Sequence, residues 1–277
     1  MTRDKYFSLY KRVSSPKLDN KGLVIIKVTG KKFGSFCNGF TKPYDIMVEE
    51  AFRATAYQLT HVLPRGAILF LCHFNSEIIA ILDPEKMSND YLGLDSQKIC
   101  SSVTSHVTRD FNAIFAYLVR RKFSEPITGV LDNEALKQSP YVFNIEASSL
   151  LHDEGYMETL TDVKRVVFGG RAFNIPKEEL SEYITWLQLK CNAEAHHRLL
   201  YLLDDYNIDG LRGERIPVKA ILEILEKRGV DPKDYPDWYY QGTWLRKVEL
   251  DEGYEWRYET IPQLVPNETD IYALLEG

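Results

Sequence analysis

Gly22-Leu23-Val24-Ile25-Ile26-Lys27-Val28-Thr29-Gly30-Lys31-Lys32-Phe33 begins as a continuous β-branched run bounded by Gly22 and Gly30, the pattern of a buried strand. The run leaves the strand through Thr29-Gly30-Lys31-Lys32-Phe33. Beyond Pro43, residues 45–62 place Ile46, Met47, Phe52, Ala56 and Leu59 at roughly helical spacing, and Pro64-Arg65-Gly66 stops the helix. Two apolar runs, 67–74 and 78–82, follow around Asn75, Ser76 and Glu77, which predicts an antiparallel hairpin. Residues 96–122 carry Ile99, Val103, Val107, Phe111 and Phe115 four apart, the stripe of one long helix. A last strand is expected over 163–168. The order β, α, β, β, α, β predicts an α+β fold of the ferredoxin-like split type.

The chain has 277 residues, 44% of them apolar, and a net charge of -6, so it is neither disordered nor short of core. Its longest apolar runs fall far short of the roughly 20 residues that span a bilayer, so no membrane partner is expected. No apolar signal region follows the early lysines, and the four cysteines form no Cys-x-x-Cys pair, which together point to a cytoplasmic protein with reduced thiols. Three parts are expected: 1–123 as the first half of the fold, 124–162 as an insertion broken by Pro126, Pro140 and Gly155, and 163–277 as its completion. That completion adds helices over 177–206 and 218–229, packed with Trp186, Leu187, Leu199 and Ile221, and a hairpin over 243–250 and 254–260. Charge is uneven. Residues 1–42 carry ten Lys/Arg against Asp4 and Asp19, making that end the candidate anion site, with a solvated basic terminus as the plain alternative.

In this order the motifs resemble those of the tRNA-histidine guanylyltransferase family, over about residues 20–123 and 163–245. The family's Asp-Gly-Arg-x-Phe is similar to Thr29-Gly30-Lys31-Lys32-Phe33, and its Phe-x-Lys-Pro-Asn-Asp to Phe40-Thr41-Lys42-Pro43-Tyr44-Asp45. Its Ser-Asp-Glu hairpin resembles Asn75-Ser76-Glu77, and the Lys and Ser residues of its next helix resemble Lys98, Ser101, Ser102 and Ser105. Phe168-Gly169-Gly170-Arg171, Tyr183-Ile184-Thr185-Trp186-Leu187-Gln188 and the segment Tyr235 to Gly242 resemble later family motifs. The resemblance implies a palm domain with added helices and a C-terminal hairpin, and a homo-oligomer, dimer or tetramer. It also implies an enzyme that uses Mg²⁺ and GTP or ATP to add a nucleotide to a tRNA 5′ end.

Both carboxylates that the resemblance assigns to metal binding are replaced, by Thr29 and Ser76, and only Glu77 is retained. A neutral hydroxyl is a poor ligand for Mg²⁺ and supplies none of the charge a two-metal transfer needs. Leu187, Gln241 and Asn192-Ala193-Glu194-Ala195 replace residues that the resemblance links to phosphate and tRNA, which counts against tRNA as a partner. No catalytic residue and no metal ligand is therefore assigned. What remains is a nucleotide-binding set, Gly30, Lys31, Lys32, Phe33, Lys42, Asp45, Lys98, Ser101 and Ser105, in which lysines and backbone N–H groups would cradle a triphosphate.

Three readings follow: a pseudoenzyme that binds a nucleotide, a tRNA or a protein; an active nucleotidyltransferase with a metal site rebuilt from Glu77 with Asp45 or Asp83; and a structural homo-oligomeric subunit. His196 and His197 are adjacent and should point to different faces of a helix. His73 precedes Ser76 by three residues without certifying a nucleophile pair. Trp238, Tyr239, Tyr240, Trp244, Tyr254 and Trp256 read as packing rather than base stacking, given the acidic residues among them.

Overall fold

The computed structural model describes residues 17–18, 20–37, 40, 42–87, 95–124, 165–203, 216–251, 253–265 and 270–276. The insertion expected over 124–162 lies outside them apart from residue 124, as does the end of the helix expected to reach Tyr206. The elements run β1 (Leu23–Lys31), α1 (Phe33–Phe36), α2 (Ile46–Val62), β2 (Ile68–Phe74), β3 (Glu77–Leu82), α3 (Ser96–Ser124) and β4 (Val167–Ile175). Then come α4 (Leu180–Leu199), α5 (Val218–Lys227), α6 (Asp237–Gln241), β5 (Thr243–Leu250), β6 (Gly253–Thr260) and α7 (Ile271–Glu276). The strands form one six-stranded sheet in the order β4-β1-β3-β2-β5-β6, antiparallel at every pairing. The C-terminal hairpin is thus an extension of the main sheet.

Alternation along β1 divides the core. Val24, Ile26 and Val28 face α2 and α3, where Phe52, Phe111 and Phe115 fill the layer. Leu23 and Ile25 face the other way, beneath Leu180, Ile184, Leu187 and Cys191 of α4. A third cluster, with Leu199, Ile221, Leu225 and Tyr239, joins the end of α4 to α5 and α6. Gln188 pins α4 to the C-terminal segment: its carbonyl accepts from the Leu264 N–H at 3.0 Å and its amide donates to the Pro262 carbonyl at 3.0 Å. Trp186, expected among the packed residues, is instead 53% exposed, because Ile184, Leu187 and Cys191 already supply the buried stripe of α4. Among the described residues no helix is long and apolar enough to cross a membrane.

The fourth strand lies further on than 163–168. Asn112 holds both backbone groups of Val166, accepting from its N–H and donating to its carbonyl, each at 2.8 Å, so ladder pairing begins only at Val167. Gly169 and Gly170 pair in the strand with Thr29 and Val28. They occur there because neighbours occupy the space of a side chain. A Cβ on Gly169 would lie 2.6 Å from Lys31 Cε, and one on Gly170 would lie 2.5 Å from the Thr104 methyl. Thr104 cannot swing away without losing its hydroxyl bond to the Cys100 carbonyl at 2.6 Å. Gly170→Ala is expected to destabilise the protein by about 1–3 kcal/mol in urea unfolding. Adding Thr104→Ser, which removes the obstructing methyl, is expected to recover part of that loss.

Candidate functional site

At the sheet's centre the register brings Thr29 opposite Glu77. Gly30 closes the β2–β3 turn by donating its N–H to the Ser76 carbonyl at 3.0 Å. Glu77 begins β3 and points to the α4 face, where Lys27 Nζ lies 2.7 Å and Lys190 Nζ 3.0 Å from its two carboxylate oxygens. The Thr29 hydroxyl makes a long contact to the same carboxylate at 3.5 Å. Lys190 also approaches Glu194 at 3.7 Å, and Glu194 accepts from the Asn75 side chain at 2.8 Å. Desolvation is the largest influence on the Lys190 ammonium and pulls its pKa down, yet Glu77 and Glu194 together leave it raised. Lys190 is therefore held charged.

On the other side of that turn is a cavity of about 670 Å³. Its walls come from the α1–α2 connection, the Asn75–Ser76 turn, the end of α4 and α6. Tyr44, Trp238 and Tyr239 give it an aromatic side, with Tyr44 and Trp238 in edge contact at 5.0 Å. Arg198, His197 and Lys42 bring positive charge, and Asp45, Glu49 and Glu194 negative charge. Thr243, at 2% exposure, contributes a buried hydroxyl for which the described residues supply no hydrogen-bond partner. Such a group is costly to bury unless a ligand meets it.

The cavity floor is a buried ionic network. Glu49 Oε1 lies 2.9 Å from Arg53 Nε and 3.3 Å from His73 Nδ1, while the other ring nitrogen of His73 is 2.8 Å from the Asn75 carbonyl. His73 stacks on Phe52 with ring centroids 4.5 Å apart and makes no bond to Ser76, so the pair forms no nucleophile dyad.

Of the residues expected to bind a nucleotide, Phe33, Lys42 and Asp45 line the cavity. Asp45 also caps α2, accepting from the Met47 and Val48 N–H groups at 3.0 and 3.2 Å. Lys42 donates to the Cys37 carbonyl at 3.0 Å. Lys31 and Lys32 are exposed and do not line the cavity, Lys32 in a left-handed turn with φ 52°. Lys98, Ser101 and Ser105 lie on the exposed side of α3 and do not contribute to the cavity walls. The Ser105 hydroxyl is turned back onto the Ser101 carbonyl at 2.7 Å. His196 and His197 diverge as expected: His196 is buried against Tyr240, and His197 reaches the cavity. The aromatic residues near the C-terminus divide. Trp244 is buried and Trp256 packs on the core, but Trp238 and Tyr239 face the cavity instead of serving only as packing.

The family model for tRNAHis guanylyltransferase (Thg1) matches residues 4–149, just over half of the chain. The chain belongs to that family. Solved structures similar to this guanylyltransferase-family chain include a bacterial tRNA(His) guanylyltransferase (Thg1)-like protein in complex with ATP, 19% identical, with a TM-score of 0.65 over 94% of this chain and 93% of that one. A bacterial Thg1-like protein in complex with GTP is 18% identical, with a TM-score of 0.61 over 98% and 94%. The tRNA(His) guanylyltransferase of Saccharomyces cerevisiae is 15% identical, with a TM-score of 0.60 over 92% and 97%. No curated protein matches the sequence.

The divalent ions implied for a Thg1 enzyme do not fit the residues at β1 and β3. At about 4 Å and an effective dielectric near 20, each pair of like unit charges costs about 4 kcal/mol. A dication on Glu77 would meet two ammonium groups already seated on its carboxylate oxygens at 2.7 and 3.0 Å and would have to displace them. The rebuilt site also lacks its other partners: Asp45 caps α2, and Asp83 caps the short helix Pro84–Lys86 beside Lys177. Among the described residues no three His, Cys, Asp or Glu side chains converge on a metal position.

Sequence reasoning missed Lys27, Lys190, Glu49 and Thr243. The signal for Lys27 was present, since a lysine inside a β-branched strand shares its face with every second residue, Thr29 included. The other three depend on packing between elements distant in sequence.

Glu49 sets an acid limit on this wall. Burial is the largest influence and pushes its carboxyl up, but His73 and Arg53 together bring it down to about 2. The ionised form therefore stabilises the fold fully above the ordinary carboxylate range, and that stability is lost as pH falls towards about 2. Glu49→Gln is expected to cost about 3–5 kcal/mol near neutral pH, because Arg53 loses its buried counter-charge. Urea unfolding between about pH 7 and about pH 3 should give a shallower acid decline for the variant.

Proposed function

We propose that β1 to β4 with α2 and α3 form a ferredoxin-like palm which binds a nucleoside triphosphate and does not carry out two-metal nucleotidyl transfer. The observation that carries this reading is the pairing of an aromatic cavity at the Asn75–Ser76 turn with a Glu77 carboxylate already neutralised by Lys27 and Lys190. A purine fits the Tyr44–Trp238 side of the cavity, and Asp45, Arg198 and the Thr243 hydroxyl offer acceptors and donors to its edge and ribose. The similar structures that hold ATP and GTP support a nucleotide as the ligand class. The missing carboxylates at positions 29 and 76 support a pseudoenzyme.

Calorimetric titration of the purified protein with ATP and GTP tests this directly. Binding is expected for at least one of them, and Trp238→Ala is expected to weaken it by about 1–3 kcal/mol, roughly 5- to 150-fold. With labelled GTP and tRNA, no addition to the 5′ end is expected. Efficient addition would restore the active transferase. A homo-oligomer is a second proposal, supported by Trp186 and Leu189 side by side on α4, 53% and 62% exposed. Sedimentation of Trp186→Glu should show a smaller assembly than the parent protein.

A further inference from the structure

The residues that do not suit a divalent ion suit its usual ligand. Along β1 the side chains on the α4 face alternate as Leu23, Ile25, Lys27, Thr29 and Lys31. Antiparallel pairing sets Arg171 of β4 directly opposite Lys27, on the same face. Lys31 lays its stem over Gly169, where the missing side chain leaves room for it. From above, α4 lowers Lys190 onto Glu77. Lys27 and Lys190 hold Glu77, Lys190 also approaches Glu194, and Lys31 and Arg171 are exposed on the same face of the sheet, so four cations stand on this side against two carboxylates.

We propose that Lys27, Lys31, Arg171 and Lys190 form a metal-independent site for the phosphate chain of the bound nucleotide. Fixed ammonium and guanidinium groups would supply the charge that divalent ions would otherwise bring. The proposal rests on the reading of the cavity as the nucleoside site and adds to it where the phosphates go. Its geometry is continuous with that cavity, because Asn75, Ser76 and Glu194 line the cavity while Glu194 also touches Lys190. Glu77 has a positioning role. By holding Lys27 and Lys190 at 2.7 and 3.0 Å it fixes both ammonium groups in place and leaves each with further N–H donors. An ammonium acts as a point charge towards phosphate, so this arrangement needs no coordination geometry.

Full-length protein is titrated with three classes of ligand, the nucleotides ATP and GTP, the nucleosides adenosine and guanosine, and inorganic tripolyphosphate, each in excess EDTA and in excess Mg²⁺. The expected result is that ATP binds in EDTA at least as tightly as in Mg²⁺, since the chelated ion masks the charge the site recognises. Lys27→Met/Lys190→Met should weaken ATP and tripolyphosphate at least tenfold and leave adenosine within about twofold. Lys31→Ala/Arg171→Ala, at exposed positions, gives the same comparison without disturbing Glu77. ATP binding that requires Mg²⁺ would overturn the proposal, as would ATP affinity unchanged in both variants or adenosine lost in step with ATP. Tripolyphosphate bound through these residues while adenosine and guanosine do not bind would uphold the anion site and overturn the nucleoside reading. No binding of any of the three would overturn both.

Discussion

A carboxylate on the face of a sheet has to find a counter-charge, and Glu77 finds two. Lys27 reaches it along the sheet from β1, and Lys190 reaches it from α4. This one contact ties the first strand, the central hairpin and the helix that covers them. It also decides what the site can hold. The same carboxylate, left bare beside a second one, would invite a dication; here two ammonium groups already occupy it, the arrangement on which the proposed phosphate site rests. The neutral side chains of Thr29 and Ser76 and the pairing of Glu77 with two lysines therefore act in the same electrostatic direction.

The cavity on the other side of the Asn75–Ser76 turn follows different physics. Its walls are aromatic, and its floor is an ionic network sealed beneath Tyr44 and Trp238. Glu49, Arg53 and His73 leave few polar atoms unsatisfied there, and the Thr243 hydroxyl stands out against them. Such a pocket suits a flat, partly polar ring system. The turn between the two regions is tied to both, since Gly30 bonds the Ser76 carbonyl and Asn75 bonds Glu194, so on the proposed reading a base and its phosphates would lie on either side of it.

Much of the fold is legible in sequence because it is local. The 3.6-residue stripe of Ile99 to Phe115 and the paired apolar runs around Asn75 are periodic signals, and the structure places α3, β2 and β3 where they predict them. β4 begins later than expected because Asn112 takes both backbone groups of Val166, and it runs through Gly169 and Gly170, which make room for Lys31 and Thr104. The site was legible only in part. Phe33, Lys42 and Asp45 lie on one contiguous stretch and were found, whereas Lys190 and Thr243 reach the site only through the packing of α4 and the joining of β5 to β2. Trp186 reads as core by hydrophobicity and is exposed, since the helical phase of α4 turns it outward.

Gln188 gives the last link. Its side chain is buried between α4 and the stretch that follows the final strand, bonded to backbone at Pro262 and Leu264. Lys190 and Glu194 lie two and six residues further along the same helix. The tail of the chain is therefore mechanically upstream of the charged corner: a partner that pulled it away would strand a buried amide and slacken the helix from which Lys190 hangs. Ligand grip and tail docking are two readouts of a single helix position.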